Sequence, residues 1–196
     1  MKCACKDLKR EERIQGMLVE VCPCCGLITK KNLISFSEER KRYDAHICDE
    51  GYKSYMESLF IKIKPYIKGT NLDYGCGQIH YLADVLTANG ISSNYYDLHY
   101  YPKLPDMTFD TIILVEVFEH LKDPYSELLK LKKSLLNPKG RIIIVTKPYD
   151  DVDLNSWWYF RDTTHISFIK KDSIQHWNLD MQILDQKGDI FVLECI

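Results

Sequence analysis

Apolar and polar positions follow two rhythms along this chain, and the rhythms change places several times. Residues 72–74, 112–117 and 142–145 are short, nearly unbroken apolar runs, the pattern of strands buried on both faces. Around them, apolar residues recur at helical spacing. Ile79, Leu82, Ala83 and Leu86 predict a helix over 78–89, closed by Asn89-Gly90. Asp123-Pro124 opens another over 124–136, and Asn137-Pro138 stops it. Residues 37–67 also read as helical: Ser37, Glu38 and Glu39 begin a charged segment, and Tyr55, Met56, Leu59, Phe60 and Ile63 give it one buried stripe before Pro65. Strands are predicted over 70–74, 92–97, 109–115 and 140–146.

Strand and helix alternate from residue 70 onward, which predicts an α/β fold with a doubly wound, mostly parallel sheet. The end of the chain differs. Segments 181–186 and 189–195 flank Lys187-Gly188, a hairpin signal, so the sheet is expected to close with an antiparallel pair. Only 11 residues separate Asp97 from Phe109, too few for a helix and a full third strand. Tyr100, Tyr101 and Pro102 are expected to cover that edge as a loop.

The bulk numbers narrow the setting. At 196 residues the chain is long enough for one α/β domain with a small appendage. A formal net charge of −2 supplies no global basic field for nucleic acid and no polybasic segment for a membrane surface. The apolar runs are far too short to span a bilayer. Met1-Lys2-Cys3-Ala4-Cys5 leads into charged residues and not into a signal core, so the expected location is the cytoplasm, where eight cysteines suit reduced thiols or a metal better than disulfides.

The chemistry gathers where strands end. After residues 72–74, Gly75 and Gly77 allow a tight turn and close approach of a ligand to bare backbone, and the helix start behind them can offer free N–H groups. Asp97, 20 residues beyond Gly77, ends the neighbouring strand; there a carboxylate can accept hydrogen bonds from the vicinal hydroxyls of a ribose. It can equally be a solvated turn acid, and NAD and S-adenosylmethionine sites both use the device. A dinucleotide fingerprint would want a third glycine where this chain has His80, which speaks against NAD. The strand over 109–115 runs into Glu116, Glu119 and His120, placing acidic and imidazole groups at the edge of the sheet where open α/β folds bind ligands.

Taken in order, Asp73-Tyr-Gly-Cys-Gly77, Tyr96-Asp97, Phe109-Asp110, Glu116-Val-Phe-Glu-His-Leu-Lys-Asp-Pro124 and Leu136-Asn-Pro-Lys-Gly-Arg141 resemble the class I S-adenosylmethionine-dependent methyltransferases, most nearly the ubiquinone-biosynthesis type. The resemblance covers residues 43–196. It implies a seven-stranded-type sheet whose last strand is antiparallel. It also implies Asp73, Gly75, Cys76 and Gly77 around the methionine and ribose, Asp97 on the ribose hydroxyls, Leu98 against adenine, and Glu116 beside the methionine part. Many members carry a glycine where this chain has Ile79. Tyr43-Asp44-Ala45-His46, Gly51-Tyr52 and the segment from Trp157 to Phe168 look like a bacterial subgroup of undetermined substrate.

Methyl transfer from a sulfonium requires alignment and exclusion of water more than a protein nucleophile. Where the acceptor must lose a proton, His165, His120 and Glu119 are the candidate bases. His120 reads equally well as a support for its loop. Trp158 and Tyr159, with Trp157, Arg161 and Asp162, surround His165 and could hold a planar acceptor, or could anchor a cap through Trp157 or Trp158. Tyr43, His46 and Tyr52 are placed to close over the cofactor. The expected acceptor is a small molecule, with RNA or protein as alternatives.

Residues 1–34 read as a separate Cys-rich module ahead of a methyltransferase domain over 35–196. Cys3-Ala-Cys5 and Cys22-Pro-Cys24-Cys25-Gly26 lie 16 residues apart, the pairing that tetrahedral zinc requires. The expected ligands of this zinc-ribbon-like unit are Cys3, Cys5, Cys22 and Cys25, with Cys24 as a substitute; free thiols are the alternative. Four thiolates would make the zinc structural. A non-catalytic zinc-containing module that binds protein or RNA on a retained methyltransferase fold, or an RNA methyltransferase, are the competing readings of the whole.

Overall fold

The computed structural model describes residues 9–196. The chain opens with a meander of three strands, β1 (Arg10–Ile14), β2 (Met17–Val21) and β3 (Ile28–Lys30), paired antiparallel. Two helices follow, α1 (Phe36–Asp44) and α2 (Glu50–Ile63). The predicted helical stretch 37–67 is thus broken after Asp44. Ser35, and not Ser37, caps α1, in a reciprocal box with Glu38, and Asp49 restarts the helix by accepting from the Tyr52 amide. Pro65 falls in a single 3₁₀ turn over Lys64–Tyr66.

Then come β4 (Asn71–Tyr74), α3 (Tyr81–Ala88), β5 (Ser93–Tyr96), β6 (Phe109–Val115), α4 (Pro124–Ser134), β7 (Leu136–Val145), a helical turn α5 (Trp158–Arg161), β8 (Ser167–Phe168), β9 (Met181–Lys187) and β10 (Ile190–Cys195). α3 starts later than residue 78 because Gly77 and His80 both have positive φ, 71° and 29°, and hold the intervening chain as a loop. α4 stops at Ser134, so Leu136 and the following Asn-Pro-Lys-Gly enter β7 instead of ending a helix.

The main sheet has the order β5-β4-β6-β7-β10-β9. The first four strands are parallel, and β10 runs against them, paired antiparallel with both β7 and β9, as the terminal hairpin predicts. Six strands stand where the family resemblance implies seven. The short connection after Asp97 forms one isolated bridge, Asp97 with Tyr101, and among the described residues β5 is the edge. Both faces are covered, as a parallel sheet requires. Ile112 and Leu114 of β6 pack into the α4 side with Leu128 and Leu131, while Ile113 and Val115 point to the α2–α3 side with Phe60, Ile63, Leu82 and Leu86.

The amino-terminal meander does not stand apart. β3 pairs with β8, giving a four-stranded sheet ordered β1-β2-β3-β8 that joins the two ends of the sequence. Ile14, Val19 and Ile28 share a core with Tyr159, Phe160 and Phe168, and Cys22, Cys25 and Leu27 join the core beneath the main sheet. The described part of the unit expected over 1–34 is therefore bound, through β3, to the segment that carries His165. Among the described residues, no helix is long and apolar enough to cross a membrane.

Candidate active site

The carboxyl ends of β4, β5, β6 and β7 point the same way, and the residues just past each end build the site. After β4, Gly75 takes φ +85°, and a Cβ there would meet Val117 Cγ2 at 2.4 Å, so the turn admits glycine alone without rearrangement. The amides of Gly75 and Cys76 both donate to the Tyr96 carbonyl, at 2.7 and 3.1 Å, which ties the loop to the end of β5. At Gly77 the opposite condition holds: no atom lies within 4 Å of where a Cβ would be, and its backbone faces open space.

Asp97 crosses the gap between the two strands. Its Oδ2 accepts the Gly77 amide at 3.0 Å, and its Oδ1 accepts the amides of His99 and Tyr100 at 2.8 and 3.1 Å. With two lone-pair directions per oxygen, Oδ1 is filled and Oδ2 keeps one acceptor direction. Leu98, next in the chain, is 56 % exposed. It lines a cleft of about 350 Å³ together with Phe36, Glu39, His120, Thr164 and Ile166. Asp73 is buried beneath the loop, and burial is the chief reason its carboxyl is pushed up to about 7, with Asp97 and Asp84 adding to it. Burial likewise raises the Cys76 thiol.

α1 lies across this edge. Gln78 Nε2 donates to the Tyr43 carbonyl at 2.7 Å, Tyr100 donates to Asp44 at 2.8 Å, and Arg40 donates to the His99 carbonyl. The Tyr43 ring meets His120 edge-on at 5.4 Å and His99 at 5.2 Å. His46 lies beside Tyr43 with centroids 6.0 Å apart. Tyr52 packs from α2 against the other core, and its hydroxyl is raised by burial and by nearby Asp73, Cys48 and Cys76. Tyr43 and Tyr52 thus flank the glycine loop, while His46 lies toward Asp162 and His120.

The ends of β6 and β7 form a second centre. Glu116 holds a left-handed backbone, φ +50°, rare for a residue with a side chain and characteristic of sites where the fold forces a group into place. Glu119 follows on a 3₁₀ turn, Phe118–His120, and is fully buried. It accepts from Tyr159 Oη at 2.5 Å and from Thr146 Oγ1 at 2.9 Å. Tyr159 Oη also lies 3.2 Å from Glu116 Oε2, and Lys147 Nζ reaches Glu116 Oε1 at 3.3 Å. Burial and the neighbouring Glu119 push Glu116 up to about 7; burial raises Glu119 too.

His120 and His165 complete this centre, their ring centroids 4.9 Å apart. Each engages a carbonyl through Nδ1, His120 with Thr164 at 3.0 Å and His165 with Tyr159 at 2.9 Å. Burial lowers His120, and burial together with His120 lowers His165 to about 3, so both rings stay neutral at physiological pH. The loop that presents them is braced. Lys30 is buried, with Nζ donating to the carbonyls of Phe160 and Asp162 at 2.6 and 2.8 Å. Asp162 accepts from Thr164 N and Oγ1 and pairs with Arg42 of α1 at 3.0 Å.

The predicted residues fall into two groups a strand apart: Asp73, Gly75, Cys76, Gly77, Asp97 and Leu98 at the β4–β5 end, and Glu116, Glu119, His120 and His165 at the β6–β7 end. Trp158 stands apart at 64 % exposed, while Tyr159 is a buried support beneath the carboxylates. Cys22 and Cys25 lie on the tight turn before β3, and Cys3 and Cys5 fall outside the described residues. Sequence reasoning missed Thr146, Lys147 and Lys30. Both Thr146 and Lys147 directly follow the last apolar residue of β7, the position that also carries the site residues after β4, β5 and β6.

A glycine turn and an acidic strand end at the carboxyl edge of a parallel sheet, closed by an antiparallel hairpin, define a nucleoside-cofactor α/β protein of the methyltransferase type. The family model described as a methyltransferase domain matches residues 50–181, more than half of the chain, and the chain belongs to that family. Among curated proteins, none matches it. The solved structures carry the same fold at low identity. An S-adenosylmethionine-dependent methyltransferase from Archaeoglobus fulgidus is similar at 15 % identity and a TM-score of 0.55, over 82 % of this chain and 100 % of its own. Magnesium protoporphyrin IX methyltransferase from Synechocystis PCC 6803, with bound S-adenosylhomocysteine, is similar at 13 % identity and 0.52, over 85 % and 90 %. An O-methyltransferase of neocarzinostatin biosynthesis, bound to S-adenosylhomocysteine and 1,4-dihydroxy-2-naphthoic acid, is similar at 12 % identity and 0.52, over 74 % and 57 %.

Proposed function

We propose that this chain transfers a methyl group from S-adenosylmethionine to a small-molecule acceptor bound in the cleft beside Leu98 and His120. The observation that carries this reading is the junction of Gly77 and Asp97. The Gly77 amide and the Asp97 carboxylate hold one another at 3.0 Å, with open space over Gly77 and an acceptor direction left on Oδ2. A ribose hydroxyl can donate there while the exposed Leu98 covers the base. Asp73, Gly75 and Cys76 shape the floor under the amino-acid part, and Glu116 faces it from β6. The cofactor supplies the electrophilic methyl; the protein aligns it and excludes water, with α1 as the cover. That an O-methyltransferase sharing this fold is bound to a small aromatic diol supports a small-molecule acceptor.

Calorimetric titration with S-adenosylhomocysteine tests the donor site. A hydrogen bond to a charged acceptor is worth about 1.5–3 kcal/mol, so Asp97→Asn is expected to weaken binding about tenfold or more. Unchanged affinity in that variant refutes the ribose assignment.

A structural zinc held by Cys22 and Cys25, with Cys3 and Cys5, is proposed for the amino-terminal unit. Its support is the turn in which Gly26 N donates to the Cys22 carbonyl at 2.8 Å and Cys22 N donates to the Leu27 carbonyl at 2.8 Å. Metal analysis of protein purified without chelator should find one zinc per chain, lost in Cys22→Ser; a substoichiometric content argues for plain thiols.

A further inference from the structure

We propose that the methyl acceptor carries a carboxylate away from the atom that is methylated, and that Lys122 receives this carboxylate where the cleft meets a second recess. The proposal rests on the methyl-transfer reading above, since it names the class of compound for the same cleft. Lys122 stands between two fixed points. On one side Leu121 closes the 3₁₀ turn, its amide donating to the Phe118 carbonyl at 3.1 Å and its own carbonyl accepting Ser167 Oγ at 2.7 Å. On the other, Asp123 caps α4 and Pro124 is buried in its first turn. The backbone of Lys122 is therefore held in place, while the residue itself is exposed.

Two cavities meet at this residue. The cleft of about 350 Å³ has Ile34, Phe36, Leu98, Leu121 and Ile166 as apolar walls. A recess of about 400 Å³ lies between the amino-terminal strands and the start of α4, with Lys9, Glu20, Thr29 and Asp123 around it. Among the described residues Lys122 is the one that lines both. An elongated ligand can rest its apolar body in the cleft and turn a polar end toward the recess.

The charges around the shared residue select that polar end. Glu20 holds Lys9 at 2.9 Å and Lys31 at 2.6 Å, and Lys31 also lies 3.5 Å from Glu11, so two ammonium groups and two carboxylates offset one another. Asp123 accepts Ser126 N at 3.0 Å and Ser126 Oγ at 2.7 Å, and it sits at the positive end of α4. Among the described residues Lys122 makes no hydrogen bond or ion pair. In the cleft, burial keeps His120 neutral, with Nδ1 engaged by the Thr164 carbonyl, and Glu39 accepts Tyr43 Oη at 2.9 Å. Glu39 borders the cleft and not the recess, so it repels an anion on its side while Lys122 draws one toward the recess. The two charges fix the direction in which the acceptor lies. A single uncompensated ammonium matches a singly charged group, which favours a carboxylate over a phosphate of nearly twice the charge.

Biphenyl-4-carboxylate, its neutral carboxamide and the biphenyl-4-ylmethylammonium ion share one shape and differ in charge. Each is titrated into the full chain saturated with S-adenosylhomocysteine, with affinity read by calorimetry and location by the methyl resonances of Leu98, Leu121 and Ile166. The carboxylate should bind about fivefold more tightly than the carboxamide, an advantage that shrinks at high salt because Lys122 is exposed. In Lys122→Met the two should bind alike, and in Lys122→Glu the ammonium ion should bind best; neither change touches the core. Equal binding of carboxylate and carboxamide by the wild type, an advantage that survives in Lys122→Met, or tightest binding of the ammonium ion by the wild type overturns the proposal. Equal affinities with shifts at Leu98 and Ile166 defeat the carboxylate alone and leave the acceptor cleft standing. Protein that takes up S-adenosylhomocysteine and none of the three probes defeats the cleft assignment and this proposal with it. Failure of S-adenosylhomocysteine to bind defeats the donor site, and the same three probes on the free protein then decide the carboxylate by the same criteria.

Discussion

Asp73 is 3 % exposed, and its carboxyl is pushed from 3.8 up to about 7, chiefly by burial. Its charge is therefore a folding cost at neutral pH, and replacing it by Asn removes that cost. The native state holds the proton up to about pH 7, while the unfolded chain releases it near pH 4. Stability from this group is full below the unfolded value, falls by about 1.4 kcal/mol per pH unit between the two values, and is flat above the folded one. Three units correspond to about 4 kcal/mol, of which about 2.5 kcal/mol falls between pH 5 and pH 8. The Ala83 amide that donates to Asp73 can still donate to the Asn oxygen, so the acceptor survives the change. Urea unfolding of both proteins without cofactor, followed by tryptophan fluorescence, gives the difference at each pH. Groups that titrate identically in both cancel. Asp73→Asn should gain about 2.5 kcal/mol on the parent between pH 5 and pH 8. A difference that stays constant across that window refutes the buried-charge reasoning.

Gly75→Ala meets both a left-handed φ of +85° and Val117 Cγ2 at 2.4 Å. It should cost about 2 kcal/mol in urea unfolding, part of it recovered by adding Val117→Ala. Lys30→Met removes the donor to two carbonyls together with the ammonium that lies over the Phe160 and Phe168 rings. A loss of about 2 kcal/mol is expected by the same assay, with a fall in turnover as the loop bearing His165 loosens; unaltered turnover would show that this brace is structural only. Asp123→Ala deletes the side chain that accepts the Ser126 amide at the start of α4 and should cost about 1 kcal/mol, read as a lower melting temperature.

The parallel core was legible because its strands are buried on both faces, so the runs around Leu72, Ile112 and Ile142 carry no competing signal. Helix boundaries were less so. Ser37-Glu38-Glu39 carries the composition of a helix start, but Ser35 has the residue three positions on that closes a capping box. Ser37 has Arg40 at that spacing, so the glutamate three residues on is the local signal that separates the two serines. Leu136-Asn-Pro-Lys-Gly looks like the end of a helix, yet Phe109 pairs with Leu136 and draws that segment into the sheet. The pairing of β3 with β8 was invisible for another reason. It joins residues 28–29 to 167–168, and β8 is only two residues long, below any periodic pattern.

The same distinction governs the site. Gly75, Gly77 and Asp97 are bound by a short turn and one strand pair, so their spacing in sequence encodes their geometry. His165 is different. It lies 45 positions beyond His120 and meets it because its loop is bonded to the turn after β6, Ile166 N donating to the Glu119 carbonyl at 2.6 Å and Ser167 Oγ to the Leu121 carbonyl at 2.7 Å, while β3 and Lys30 brace the same loop from the amino-terminal side. Residues 1–34 read from composition as a separate Cys-rich module. Through Lys30 and β3 the described part of that segment also braces the loop that carries His165. Any disturbance of the amino-terminal strands should therefore reach the β6–β7 centre before it reaches the glycine turn, because the turn is tied to Tyr96 and Asp97 and owes β3 no contact. The donor site is local, and the second centre is a product of tertiary structure.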